Sequence, residues 1–208
     1  MADTSTFTPQ PMLIFIPDIS GFSKFVNETD IIHSQHIIEE LLELLIDANE
    51  IGLQISEIEG DAVLFYKVES SGSMKTILEQ VKSMYSNFHS HLKKYEHDRI
   101  CQCGACTTAN RLKLKFVIAH GDVGFSKIKD HIKLFGREVI VAHRLLKNTV
   151  AEDEYVLITN DALNLLSSFL LQMQFHHLRI ARYHNQTPPF WVWHEKSIQN
   201  LRFLHYKL

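Results

Sequence analysis

The feature that most limits how this chain can fold is a short apolar run, Met12-Leu13-Ile14-Phe15-Ile16, which ends at Pro17-Asp18. With no polar residue in alternation and too little length for a helical stripe, the run fits a strand buried on both faces. It leaves a carboxylate, Asp18, at the end of a core strand. Ser20 and Gly21 then mark a turn into a helical start.

The rest of the pattern alternates between helical and strand periods. Ile31, Ile38, Leu41, Leu42, Leu45 and Ala48 recur at helical spacing and predict one long amphipathic helix from Asp30 to Asn49, capped by Asp30 or Thr29. Gly52 to Ile58 alternates, Glu59-Gly60-Asp61 turns, and Ala62 to Tyr66 resumes, which predicts a β-hairpin with an acidic tip. A second helix is expected from about Ser73 to Tyr95, with Ile77, Val81, Met84, Phe88 and Leu92 inside. Arg111 to His120 reads as a strand, Gly121 and Gly124 as brackets of a turn, and His131 to Phe135 as a short strand. Helices are expected from about Glu138 to Asn148 and from Asn160 to Leu171, before a closing hairpin, Gln174 to Ala181 and Phe190 to Trp193, around the loop 183–189. Residues 1–11 read as a loose leader, 12–194 as one α+β unit with a Cys-rich insertion at 97–110, and 195–208 as a tail that packs on the body or a partner.

Composition removes several function classes. At 208 residues, 45% hydrophobic and 22% charged, with 8 Gly and 5 Pro, the chain has the means to bury a real core and is neither disordered nor repetitive. Twenty-one Lys plus Arg against 24 Asp plus Glu give a formal charge of -3, so no global basic field holds nucleic acid or an anionic membrane. The N-terminus has no basic region before an apolar core, and no stretch reaches the roughly 18 apolar residues of a membrane span. Three cysteines confined to Cys101-Gln102-Cys103-Gly104-Ala105-Cys106 do not make a secreted disulfide framework, and a reducing cytoplasm is the expected compartment.

The strongest chemical constellation pairs Asp18 with Asp61 at the hairpin tip. If their strands neighbour each other, the two carboxylates face a common point and repel unless a cation lies between them; hard divalent ions with oxygen ligands are the usual answer. The turn Ser20-Gly21-Phe22 would add backbone N–H groups for phosphate. Phe-x-x-Asp-Ile-x-Gly-Phe-Ser after a buried strand, Glu-x-x-Gly-Asp at a hairpin, Ile-Ala-His-Gly-x-x-Gly, and Phe-Gly-x-x-Val-x-x-Ala-x-Arg-Leu opening a helix occur here in that order. In this the chain resembles the class III nucleotidyl (adenylate/guanylate) cyclase homology domain, over roughly residues 12–194.

The resemblance implies a ferredoxin-like βαββαβ core with a mostly antiparallel sheet and helices on one side. It implies Mg²⁺ or Mn²⁺ at Asp18 and Asp61, a purine nucleoside triphosphate or related phosphate ligand near Ile19, Ser20, Gly21 and Phe22, and base reading at Glu57 and Lys133. Glu57 favours guanine. Arg144 matches the arginine that supports the triphosphate, and Arg182 is the one candidate for the phosphate lysine of the closing hairpin. A homodimer sharing the site is also implied. Two departures weigh against fast turnover: Ile140 replaces the asparagine that orients the ribose, and Lys133 is not the usual second base reader. The expected function is therefore a divergent, degenerate or weakly active cyclase-like protein of nucleotide signalling. The alternatives are an active guanylate or adenylate cyclase and a zinc-stabilised interaction protein.

Taken singly, the same residues have plainer roles: Asp18 as a helix cap, Asp61 as a turn residue, Glu57 as a solvent-facing strand residue, Arg144 as a surface ion-pair partner. The pairs His89 with His91 and His176 with His177 read as surface. Cys101, Cys103 and Cys106 have the spacing to wrap one soft cation, zinc above all, with His97 or His120 as fourth ligand; redox, iron–sulfur or plain packing roles are the other readings.

Overall fold

The computed structural model describes residues 8–68, 74–97, 101–148, 150, 152–164, 179–181 and 190–194. Strand β1 (Gln10–Ser20) is buried from Met12 to Ile19, as an uninterrupted apolar run requires. It starts two residues inside the stretch expected to be loose. β3 (Ala62–Val68) and β4 (Lys113–Ile128) flank it, both antiparallel, and β2 (Gln54–Glu59) forms the hairpin with β3. The sheet continues from β4 to β6 (Tyr155–Thr159), parallel, and then to β8 (Phe190–His194) and β7 (Arg179–Ala181), giving the order β2-β3-β1-β4-β6-β8-β7. β5 (His131–Phe135) folds back on the end of β4. Pro17 has no N–H to give, and the β1–β3 ladder skips Ile16 and Pro17 before resuming at Asp18 opposite Ala62.

The period of two in each strand sorts the core into two layers. Leu13, Phe15 and Ile19 face α2 (Ile31–Asp47) and α3 (Met74–His97), with Phe65, Phe116 and Ile118 beside them. Met12, Ile14 and Ile16 face the other way, with Leu64 and Val117, and pack against Val139, Ala142 and Leu145 of α5 (Arg137–Leu146). The α+β architecture with a mostly antiparallel sheet is the expected one, but the helices are not confined to one side: α5 packs on the face opposite α2 and α3, because both faces of β1 are apolar and need cover. No described helix is long and apolar enough to cross a membrane.

Several elements differ from the sequence reading in their details. The helical start after Gly21 is α1 (Phe22–Glu28), which ends where the Thr29 hydroxyl donates to Phe25 O at 2.6 Å; of the two expected caps it is Asp30, not Thr29, that caps α2, accepting from Ile32 and His33 N–H at 3.1 Å. Ile31, expected inside, is 69% exposed because the buried stripe of α2 begins at Ser34. β4 runs through Gly121 and Gly124 without turning; the turn comes at Lys129-Asp130. Gly121 is needed for another reason, since a Cβ there would lie 2.5 Å from Cγ of the buried Glu138 on α5. The ladder of β2 shifts between Ile55 and Glu57, a β-bulge that places Ile55 opposite Phe65 and Glu57 opposite Leu64, on opposite faces of the sheet. The leader before Thr8, the helix beyond Asn164, residues 174–178, the loop 183–189, His176, His177 and the tail 195–208 lie outside the described residues.

A buried carboxylate joins three elements. Glu154, just before β6, is 5% exposed and contacts His89 Nε2 of α3 at 2.6 Å, Tyr85 Oη at 3.3 Å and the N–H of Leu114 in β4 at 3.4 Å. Burial raises its pKa, and His89, Lys113 and the Leu114 N–H together more than offset this, leaving it below the ordinary value. His89 is therefore a packing residue and not a surface one; His91 likewise reaches Glu40 at 3.4 Å. Glu154→Ala strands His89 and the Leu114 amide together, and should cost about 2–4 kcal/mol in urea unfolding. A loss below about 0.5 kcal/mol would show that the node carries no stability.

Candidate functional site

Because Asp18 shares the parity of Met12, Ile14 and Ile16, it points to the α5 face of the sheet. Its neighbour across β4 is Lys115, and the Lys115 Nζ lies 3.4 Å from Asp18 Oδ2. Asp61, at the tip of the β2–β3 hairpin, stands within hydrogen-bonding reach of the Asp18 carboxyl, and its own carbonyl accepts from Ile19 N at 3.0 Å. The structure thus brings the two aspartates together around one ammonium, and Lys115 is the member that sequence reasoning missed. Its signal was present in the alternation Lys113-Leu114-Lys115-Phe116, but only strand order could say which carboxylate it meets.

Burial pushes the Asp18 pKa up to about 6; Lys115 opposes this and the Asp61 charge adds to it. Asp61 is also raised, by burial first. A carboxyl whose folded pKa exceeds its unfolded value takes up protons on folding, so its contribution is fully present below the unfolded pKa of 3.8 and is lost as pH rises through about 6. Asp18→Asn removes that titration. It should raise stability at pH 7.5 by on the order of 1 kcal/mol and flatten the melting-temperature profile between those two values; a variant less stable than the parent at pH 7.5 would contradict the account.

The turn after β1 is closed by Gly21, whose φ of +89° suits glycine, and α1 follows at once. Phe22 lies over the hairpin tip, its Cε1 3.8 Å from where a Gly60 Cβ would be. Ser20 and Gly21 are at the mouth of this corner. The Ile19 side chain is fully buried, and its N–H donates to Asp61 O.

A second polar group forms on the same face of the sheet. The bulge turns Glu57 toward α5, where its carboxylate meets Lys133 Nζ of β5 at 3.6 Å and His143 Nε2 of α5 at 3.4 Å. The two positions expected to read a base are therefore neighbours within one chain, and His143 joins them. Arg144 and Ile140 are exposed on α5, Ile140 at 54%. Arg182 lies outside the described residues.

The cysteines collect elsewhere, against the first turn of α2. His33, Cys101, Cys103 and Cys106 offer ligand atoms that all lie within 4.8 Å of one another. His33 Nδ1 is 3.0 Å from Cys103 Sγ and 3.6 Å from Cys101 Sγ. The fourth residue is His33, not His97, whose Nδ1 is 2.9 Å from Lys93 O within α3, and not His120, which sits in β4 opposite Leu13. Nothing in the sequence pairs residue 33 with a segment some 70 positions on; the fold does. The Cys106 N–H and His33 hold the Cys103 thiol down to about 6, while burial and the neighbouring sulfurs push Cys106 up to about 12.

The family model described as "Protein of unknown function (DUF2652)" matches residues 38–155, more than half of the chain. The chain belongs to that family. A Mycobacterium tuberculosis protein described as "Uncharacterized protein Rv2561/Rv2562" is 33% identical over 121 residues, covering 58% of this chain and 56% of the relative, so the match spans little more than half the length of either. Among solved structures, the chain is similar to the adenylyl cyclase CyaB from P. aeruginosa, with a TM-score of 0.66 and 18% identity over 89% of this chain and 93% of that one. It is also similar to the guanylyl cyclase Cya2, with a TM-score of 0.65 and 16% identity over 91% and 93%. The guanylyl cyclase domain of the RhoGC fusion protein from the aquatic fungus Blastocladiella emersonii gives a TM-score of 0.61 and 15% identity over 89% and 96%. At such identities the likeness is one of fold: the chain has the class III cyclase-like architecture.

Proposed function

We propose that the chain is a divergent class III cyclase-like domain that binds a purine nucleotide with Mg²⁺ or Mn²⁺, turns it over weakly or not at all, and serves nucleotide signalling as a homodimer. The observation that carries this reading is the meeting of Asp18 and Asp61 at one corner of a cyclase-like fold, beside the Gly21 turn. Two carboxyls that share a hydrogen bond and keep their oxygens for a cation have the donor chemistry a hard divalent ion takes. They fit such an ion, and Lys115 is what it would displace or share them with. When bound, the ion supplies positive charge to the phosphates and lowers the pKa of a coordinated hydroxyl.

The chain's own residues do the remainder. Glu57 accepts hydrogen bonds from a guanine edge, with Lys133 and His143 fixing its carboxylate. Arg144 carries charge toward the phosphates from α5. Ile140 excludes water without orienting a ribose, which is why turnover is slow in this reading. The exposed apolar residues Ile128, Ile132 and Phe135 on the β4–β5 hairpin, the last 71% exposed, support a second copy packing there. The intact aspartate pair favours, as second reading, an active guanylate cyclase.

Incubation with GTP and then ATP in Mn²⁺, followed by mass spectrometry and thermal denaturation, tests both. We expect GTP with Mn²⁺ to raise the melting temperature more than ATP does, Asp61→Asn to abolish the Mn²⁺-dependent part, and cyclic product to be scant. Abundant cyclic nucleotide from the parent alone would establish the active enzyme. No shift with either nucleotide and no product would remove both readings.

A further inference from the structure

The segment from Cys101 to Arg111 is rooted in the molecule. Ala105 and Ala109 are fully buried in the main core, and Gly104 faces Thr29, whose Cγ2 lies 3.8 Å from where a Cβ would be. The segment therefore rests on the junction of α1 and α2, beside the cap that holds the start of α2. Asp30 binds the His33 N–H at 3.1 Å, which fixes the backbone from which the imidazole projects.

We propose that His33, Cys101, Cys103 and Cys106 form a structural zinc site that ties the first turn of α2 to the segment between α3 and β4. Zinc–sulfur bonds of about 2.3 Å and zinc–nitrogen bonds of about 2.0 Å at tetrahedral angles require edges of about 3.5 Å between nitrogen and sulfur and about 3.8 Å between two sulfurs. The His33–Cys101 edge is 3.6 Å, the His33–Cys103 edge is 3.0 Å, and all four atoms fall within 4.8 Å, so small side-chain rotations complete the tetrahedron. Three sulfurs and one imidazole are the donor set that zinc takes in closed sites, and four protein ligands leave no position for water or substrate. Backbone N–H groups already point at two of the sulfurs, Cys103 N to Cys101 Sγ and Cys106 N to Cys103 Sγ, both at 3.4 Å. Such donors stabilise thiolate charge and orient the ligands.

Binding converts the coordinating thiols to thiolates and releases their protons to solvent. The site needs no nucleotide. Its role is to fix the approach to β4, which begins at Lys113 and carries Lys115.

The test uses the full chain without a histidine tag, loaded with Zn²⁺ or, for spectroscopy, with Co²⁺. One zinc per chain by elemental analysis is expected, together with the visible bands of tetrahedral, sulfur-ligated cobalt and three thiols protected from titration until a chelator is added. His33→Ala should weaken zinc at least about tenfold and alter the cobalt bands, while His97→Ala changes neither. Three freely titrating thiols in the presence of equimolar zinc would overturn the proposal. So would a disulfide within the triplet, or an unchanged affinity in His33→Ala. Should His33→Ala fail to fold, the cobalt spectrum of the parent still decides, since octahedral cobalt or none refutes the site.

Discussion

The Asp18 corner is placed by the constraint that β1 is buried on both faces between two antiparallel neighbours. A strand with a covering layer above and below cannot slip by one residue without exchanging its two core faces. Fixing Met12, Ile14 and Ile16 toward α5 fixes Asp18 with them, and the β4 register then leaves Lys115 no other carboxylate to meet across the strand. The ion pair is thus a by-product of hydrophobic registration. The same parity explains why Asp18 and Glu57 gather on the α5 face, while α2 and α3 cover the other.

The electrostatics of that corner differ from a simple metal-binding pair. Lys115, 3.4 Å from Asp18, lowers the repulsion between the buried Asp18 and the half-buried Asp61, but one ammonium against two carboxyls leaves both titrating above the ordinary range. The neighbouring group of Glu57, Lys133 and His143 has the inverse plan, one carboxylate held by two bases from different elements.

Much of this was legible in the sequence and the rest fails for identifiable reasons. Continuous apolar runs and helical spacing located β1, α2, α3 and the acidic hairpin, since local pattern and tertiary burial agree there. Gly121 misled, because glycine that permits a close approach reads the same as glycine that permits a turn. Lys115, His33, His143 and the Glu154 node were missed for a common cause: each acts through a partner set by strand order or helix docking, and no spacing rule reaches that far. The cysteine triplet announced itself by spacing; its histidine could not.

The bulge in β2 also decides which end of the hairpin aims Glu57. The position of Glu57 is counted from the Gly60 turn, through Ile58 opposite Val63 and Glu59 opposite Ala62, whereas Gln54 and Ile55 are counted from the other side of the irregularity. The extra residue, Ser56, lets the two counts disagree. Glu57 therefore takes its face from the turn at Gly60 and not from the stretch that follows α2.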